Sequence, residues 1–438
     1  MVARSRAAFL LASALACALL SGAADPSRAV RPPEDYARPA GLSALSRAMP
    51  RPPAISARSA AVIDAATGTL LYGKNPDTPI PPASLAKLVT LHIVYQEIAA
   101  GRLSKSELVT IDKRDCSPYI PNGSSLMYLQ PGMKVTVLDL MRGAAVVSGN
   151  DAAFALARRV SGSNEAFAER MNAAVRALGL GGMRFVEPSG LSELNRVTAR
   201  QFAQFCKAYM ELHPEATLEL HSLRYIEFPR PEHATAAYVP EGKILQYNRN
   251  ALVQGYEGCD GLKTGYIIES GYNLAATALR PAGVGESVVG TRIIAVTLGG
   301  SGGSTAGGGD LRSKEGAELL DWSFENFATA EPELGELPSP RAWFGAERRL
   351  ELVPEDALTV TLPRSELGTL KARIEVPDSV EAPVLKGKRI GEVVYSAGGQ
   401  VLRRVDLIAA RDVPKGNILR QIVDIFERLF TRLFSKRP

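Results

Sequence analysis

Ser84-Leu85-Ala86-Lys87 sets a hydroxyl and an amine three residues apart, a spacing that on a helix puts both on one face within hydrogen-bond reach. Such a pair can activate a serine without histidine, provided burial or a neighbouring cation lowers the lysine pKa enough for the neutral amine to act as base. The spacing is common on helix surfaces and does not by itself define a nucleophile. Further along, Ser148-Gly149-Asn150 follows the apolar run Leu138 to Val147. A hydroxyl on that turn can relay a proton to a departing amine, and the amide can hold a substrate carbonyl or Lys87; alone, the tripeptide reads as a turn or helix cap. Lys263-Thr264-Gly265-Tyr266, on an expected edge strand, offers an ammonium and a hydroxyl to a terminal carboxylate, with glycine letting a substrate backbone approach closely.

The three groups gain meaning from their order: a Ser-x-x-Lys pair early, Ser-x-Asn about sixty residues later, and Lys-Thr-Gly on a late strand. At this point the sequence resembles the low-molecular-mass penicillin-binding proteins, the serine-type D-alanyl-D-alanine carboxypeptidases. The resemblance runs from about residue 55 to the end and takes in Tyr128-Leu129-Gln130-Pro131-Gly132, Val147 to Ala152, Asn248-Arg249-Asn250 and Ser270-Gly271-Tyr272-Asn273-Leu274. It implies that Ser84 attacks the carbonyl between the two D-alanines of a peptidoglycan stem peptide, with Lys87 as base, and that Ser148 helps protonate the leaving D-Ala. It further implies that Asn150 orients the peptide, that Lys263, Thr264 and Gly265 receive its carboxylate end, and that the backbone N–H groups of Ser84 and Tyr266 form an oxyanion hole. Penicillins and other β-lactam antibiotics would acylate the same serine.

Two positions depart from the family pattern: Glu187 precedes Pro188 where Asn is usual, and Tyr266 stands where His is common. An endopeptidase or transpeptidase acting on cross-linked peptides would use the same residues. A class A β-lactamase would need a deacylating Glu-x-x-Leu-Asn, which the chain lacks, although Glu187 falls at a suggestive distance. An inactive cell-wall-binding protein would have no need of all three groups.

These groups require a particular scaffold. Ala60 to Ile63 and Thr69 to Tyr72 flank Ala65-Ala66-Thr67-Gly68 as a hairpin, and a helix is expected from about Ser84 to Ala100. Apolar periodicity predicts further helices over about 137–160, 164–178, 198–212 and 311–327, and strands at Gly261 to Lys263 and Arg292 to Leu298. The Gly-rich stretch Gly299 to Gly309 lacks a Gly-Lys-Ser/Thr ending and reads as a connector. The fold class expected is α/β (α+β), a β-lactamase/transpeptidase-like domain over 55–330, followed by a small all-β domain over 338–412. From 415 to 438 the chain turns helical, with Ile418, Leu419, Ile422, Val423, Phe426, Leu429, Phe430, Leu433 and Phe434 on one face and Arg420, Arg428 and Arg432 mostly opposite. That pattern suits a membrane interface, with docking on the β domain or a coiled coil as the alternatives.

With 438 residues, 46% hydrophobic and 22% charged, the chain is globular, and a net charge of +5 with scattered basic residues argues against nucleic acid. Residues 1–24 carry Arg4 and Arg6, an apolar run from Ala7 to Leu20 and a small-residue end, the order of a signal peptide too short to span a bilayer. Cys17 in that run makes a lipoprotein site a minor alternative. Export to the extracytoplasmic face of the cell membrane is therefore expected. Residues 25–54, rich in Pro, Ala and Arg, read as a linker. Removing the signal leaves Cys116, Cys206 and Cys259, an odd number, so no disulfide framework is expected. His92, His213, His221 and His233 show no metal-type spacing; no metal and no cofactor are expected.

Overall fold

The computed structural model describes residues 40–434 apart from 118, 243, 282–288 and 303–304, so the signal-peptide segment 1–24 and residues 25–39 lie outside the described residues. Its centre is one antiparallel sheet of β1 (Ser59–Asp64), β2 (Leu70–Lys74), β3 (Cys259–Ile267), β4 (Gly271–Arg280) and β5 (Thr291–Gly300). Their order is β2-β1-β5-β4-β3, which joins strands from both ends of the sequence and leaves β3 at an edge. The inner strands β1, β5 and β4 are buried along nearly their whole length because both faces are covered. Ala61, Ile63, Leu262, Ala275, Ile294 and Val296 face one core, and the alternating Ala60, Val62, Leu274, Ala276, Ile293 and Ala295 face another.

The first core is closed by helices α2 (Lys87–Ala99), α3 (Val137–Val146), α4 (Asn150–Ser161), α5 (Asn164–Ala177) and α6 (Ala199–Leu212). Thr136, Ser163 and Thr198 cap α3, α5 and α6 by accepting the amides of Asp139, Ala166 and Gln201. The single helix expected over 137–160 is two helices. Ser148 takes φ 64° and cannot continue α3, and the Gly149 amide closes the turn onto the Gly143 carbonyl at 2.9 Å. The helix expected from Ser84 likewise begins with a 3-10 turn, Ala83–Ala86, and only then becomes α2.

The second core is shared between the sheet, α7 (Thr305–Asn326) and the C-terminal β domain. Part of the Gly-rich stretch expected as a connector belongs to β5 and to α7, because small residues let this helix end lie against Tyr272. The β domain contains a four-stranded antiparallel sheet of Leu352–Pro354, Gln400–Ala409, Arg389–Ala397 and Lys371–Glu375, in that order. Phe327–Ala330, directly after α7, pairs with Val360–Pro363, and Asp64 at the end of β1 accepts from Thr329 Oγ1 and Thr361 Oγ1 at 2.5 and 2.9 Å. The stretch expected as a linker carries a helix too, α1 (Ala40–Leu45). Leu42 is fully buried in the second core, and a Cβ on Gly41 would meet the Val401 carbonyl at 2.2 Å. The chain then crosses to α7, where Trp322 Nε1 donates to the Pro50 carbonyl at 3.0 Å.

Candidate active site

Ser84 and Lys87 sit at the junction of the 3-10 turn with α2, at the C-terminal side of β2 and beneath β3. The turn is held in an unusual shape. Ala83 has φ 49°, and Gly190, at φ 88°, passes so close that a Cβ there would lie 1.9 Å from the Ala83 carbonyl oxygen. On the other side, a Cβ at Gly265 would come within 3.0 Å of the Ser84 nitrogen and 2.9 Å of the Pro82 oxygen. The Lys-Thr-Gly strand therefore lies against the backbone of the nucleophile turn. Asn273, opposite Gly265 on β4, fixes this junction by donating to the Pro81 carbonyl at 3.0 Å and accepting from the Gly299 amide at 2.8 Å.

The Lys87 side chain is completely buried. Its Nζ contacts Ser84 Oγ at 2.9 Å, Asn150 Oδ1 at 2.6 Å and the Ser189 carbonyl at 2.6 Å. An ammonium donates to all three. A neutral amine donates to Asn150 and Ser189, and its lone pair then accepts the Ser84 hydroxyl proton. Burial pushes the Lys87 pKa down to about 7, against the opposing charges of Glu187 and Asp151. Both of its protonation states are thus within reach near neutral pH.

Asn150 opens α4, and its own amide donates to the Ser125 carbonyl at 2.9 Å. The next carboxylate, Asp151, accepts the amides of Met127 and Leu129 at 2.9 and 3.0 Å and so fixes the loop carrying Tyr128. Ser148 is nearly buried on the strained turn between α3 and α4 and is not among the groups that Lys87 bonds. Gly149 is required there, since a Cβ would approach Asp151 Oδ1 to 2.7 Å and Met127 Cβ to 3.0 Å.

Lys263 and Thr264 lie buried on β3, paired with Ala275 and Leu274, whereas Tyr266 is exposed and tilts over the Tyr272 ring with centroids 4.5 Å apart. Lys263 Nζ donates to the Thr264 carbonyl at 2.9 Å. Burial first, then the charges of Lys87, Arg312 and Arg249, holds Lys263 well below the ordinary lysine range. Arg312 and Arg249 thus act on Lys263 as like charges, a local field that favours an anion beside it.

Arg312 was not legible as a site residue: it is a single arginine on α7, 49 positions after Lys263, with no spacing signal. Its Nη1 approaches the Gly265 carbonyl at 3.5 Å, its Nε is buried without a hydrogen-bond partner, and burial pushes its pKa down to about 10. Ser189 was also missed because it acts through its carbonyl. Glu187, the departure from the family pattern, has a clear task. Its carboxylate accepts from the Ser189 amide and hydroxyl at 2.7 and 2.6 Å, the Gly190 amide at 2.7 Å and Asn195 Nδ2 at 2.7 Å. With its lone pairs so engaged, it shapes the turn whose carbonyl holds Lys87. Among the described residues no cluster of three His, Cys, Asp or Glu side chains could hold a metal ion.

The family described as D-alanyl-D-alanine carboxypeptidase, Peptidase S11, matches residues 46–302, and the C-terminal domain of penicillin-binding protein 5 matches residues 336–415. The chain is 33% identical over 394 residues to D-alanyl-D-alanine carboxypeptidase DacA of Escherichia coli, covering 88% of this chain and 91% of that one. Penicillin-binding protein 5 of Haemophilus influenzae superposes with a TM-score of 0.70 at 31% identity, over 84% of this chain and all of that structure. Penicillin-binding protein D2 of Listeria monocytogenes, solved in a cefotaxime-bound form, gives a TM-score of 0.51 at 26% identity, over 63% of this chain and all of that one. The chain is a member of the D-alanyl-D-alanine carboxypeptidase family of serine peptidases.

Proposed function

We propose that the protein removes the terminal D-alanine from peptidoglycan pentapeptides through an acyl-enzyme on Ser84. The observation that carries this reading is the buried Lys87 amine in contact with Ser84 Oγ, Asn150 Oδ1 and the Ser189 carbonyl. In its neutral form Lys87 takes the Ser84 proton as Oγ attacks the carbonyl between the two D-alanines. The Ser84 and Tyr266 amides receive the developing oxyanion, a reading supported by the close approach of Gly265, the residue before Tyr266, to the Ser84 nitrogen. The C–N bond then breaks, and the proton that Lys87 took passes through the Ser148 hydroxyl to the leaving amine, returning Lys87 to its neutral form. Lys263, Thr264 and Gly265, supported by the charge of Arg312, receive the terminal carboxylate. Asn150, whose carbonyl serves Lys87, has its amide hydrogens for the peptide. Water hydrolyses the ester.

A β-lactam presents a cyclic amide and a carboxylate to the same groups. Glu187 spends its carboxylate on the Ser189–Gly190 turn, so it supplies no base for rapid deacylation, and the penicilloyl ester is expected to persist for minutes. Labelled penicillin should mark the protein and fail to mark Ser84→Ala; equal labelling of both would refute the assignment.

The protein is further proposed to be exported and to rest on the outer face of the cell membrane through helix α8 (Ile418–Phe434). This helix leaves Ile418, Leu419, Phe426 and Phe430 exposed while Asp424, fully buried, accepts the Phe344 amide at 2.7 Å and pairs with Arg341 at 3.1 Å. The polar face thus meets the β domain and the apolar face is left to the interface. No described helix is long and apolar enough to cross a membrane.

A further inference from the structure

Beneath the edge strand β3 lies a histidine that the catalytic steps do not use. His221 ends a short π-helical turn, Thr217–His221, and is fully buried. One ring nitrogen, Nδ1, is 3.1 Å from the Leu262 carbonyl, and the other, Nε2, is 2.9 Å from the Tyr209 hydroxyl on α6. Burial pushes the His221 pKa down to about 3, so the ring is neutral and carries one proton. The Leu262 carbonyl only accepts, so the proton must be on Nδ1, and Nε2 must accept from Tyr209. The tautomer is thereby fixed by its partners.

Leu262 directly precedes Lys263. Its carbonyl, and that of Gly261, are each taken by a side chain from below: Asn250 Nδ2 donates to Gly261 at 3.0 Å. Asn248 Nδ2 in turn donates to the His221 carbonyl at 3.1 Å. A Cβ on Gly261 would lie 3.0 Å from His221 Cβ, so the strand is seated directly on the histidine. The ring also stacks at an edge with Tyr209, centroids 5.6 Å apart.

We infer that His221, held as the Nδ1–H tautomer by Tyr209, is a positioning residue that fixes the strand carrying Lys263 and Thr264 and thereby sets the enzyme's preference for a terminal carboxylate. The inference rests on the proposed role of Lys263 and Thr264 as the carboxylate grip. Among the described residues no strand pairs with the outer edge of β3, so its ladder hydrogen bonds run to β4 alone. Its register with β4 fixes height, whereas the Leu262 carbonyl fixes tilt, and a small rotation there moves two buried side chains together.

The test compares turnover of a D-Ala-D-Ala peptide with that of the same peptide amidated at its C-terminus. Three variants are used. His221→Phe keeps a ring and loses both bonds, His221→Asn keeps a donor at the Nδ1 position, and Tyr209→Phe removes only the hydroxyl. Wild type should favour the carboxylate strongly in kcat/KM. His221→Phe is expected to lose roughly tenfold of that preference, mostly through KM, because of its two lost bonds the one to the Leu262 carbonyl is the one that seats the strand. His221→Asn should recover most of it. Preference retained in His221→Phe, with only a lowered Tm, would overturn the inference, whereas absence of preference in wild type would overturn the carboxylate grip itself. Should His221→Phe fail to fold, the tautomer of wild-type His221 decides: nitrogen NMR is expected to find the proton on Nδ1, and a proton on Nε2 or a doubly protonated ring at neutral pH would contradict the account.

Discussion

Burial strips water from the Lys87 ammonium and brings its pKa to about 7, while the charges of Glu187 and Asp151 hold it from falling further. Only the neutral amine can take the Ser84 proton, so kcat/KM should rise as pH increases through about 7 and level off above it. Lys87→Arg keeps the positive charge at all working pH values and is expected to lose about 10²- to 10⁴-fold in acylation rate, with no rising limb near neutrality. Stopped-flow acylation by a chromogenic cephalosporin across pH 5 to 9 reads both effects. At this scale the sequence pointed to Ser84, Lys87, Ser148, Asn150 and Lys263 because each belongs to a short local pattern, and the structure brings Lys87 against Ser84 and Asn150. Arg312 and His221 reach the site across 49 and 42 residues from Lys263 by tertiary contact alone, and a single arginine or histidine on a helix carries no spacing to read. Ser189 contributes a carbonyl, which no side-chain pattern can announce.

Helix α3 ends at Val146 and α4 begins at Asn150, with Ser148 in the turn between them, a break that periodicity could not reveal because the apolar positions on the two sides continue one another in sequence. What breaks the helix is tertiary: Asp151 must reach back to the Met127 and Leu129 amides, and Gly149 alone lets that loop come close. The same logic governs the turn before α2, where Gly190 at φ 88° abuts the Ala83 carbonyl. Gly190→Ala must either move that carbonyl or abandon its own backbone conformation. It is expected to cost on the order of 3 kcal/mol in denaturant unfolding and to slow Ser84 acylation at least tenfold. A variant that unfolds like wild type and acylates normally would show the turn to be slack.

The whole molecule is tied together more closely than its sequence suggests. Strands from residues 59 and 291 pair in one sheet, and α1, out of a Pro-rich stretch without apolar periodicity, packs on the β domain through Leu42. Alternation in the β domain and the single apolar face of α8 were legible; the shared core beneath Phe327 was not, since its members are scattered over residues 42 to 413. Removal of α8 after Lys415 should leave penicillin binding intact and release the protein from sedimented membranes, whereas continued sedimentation would assign anchoring elsewhere. The central claim, a carboxypeptidase acting through Ser84, is tested most directly by incubating a D-Ala-D-Ala pentapeptide with the protein and with Ser84→Ala and measuring free D-alanine. The account predicts one D-alanine per tetrapeptide formed by the wild type and none from the variant. Equal release by both, or tetrapeptide formation without free D-alanine, would contradict it.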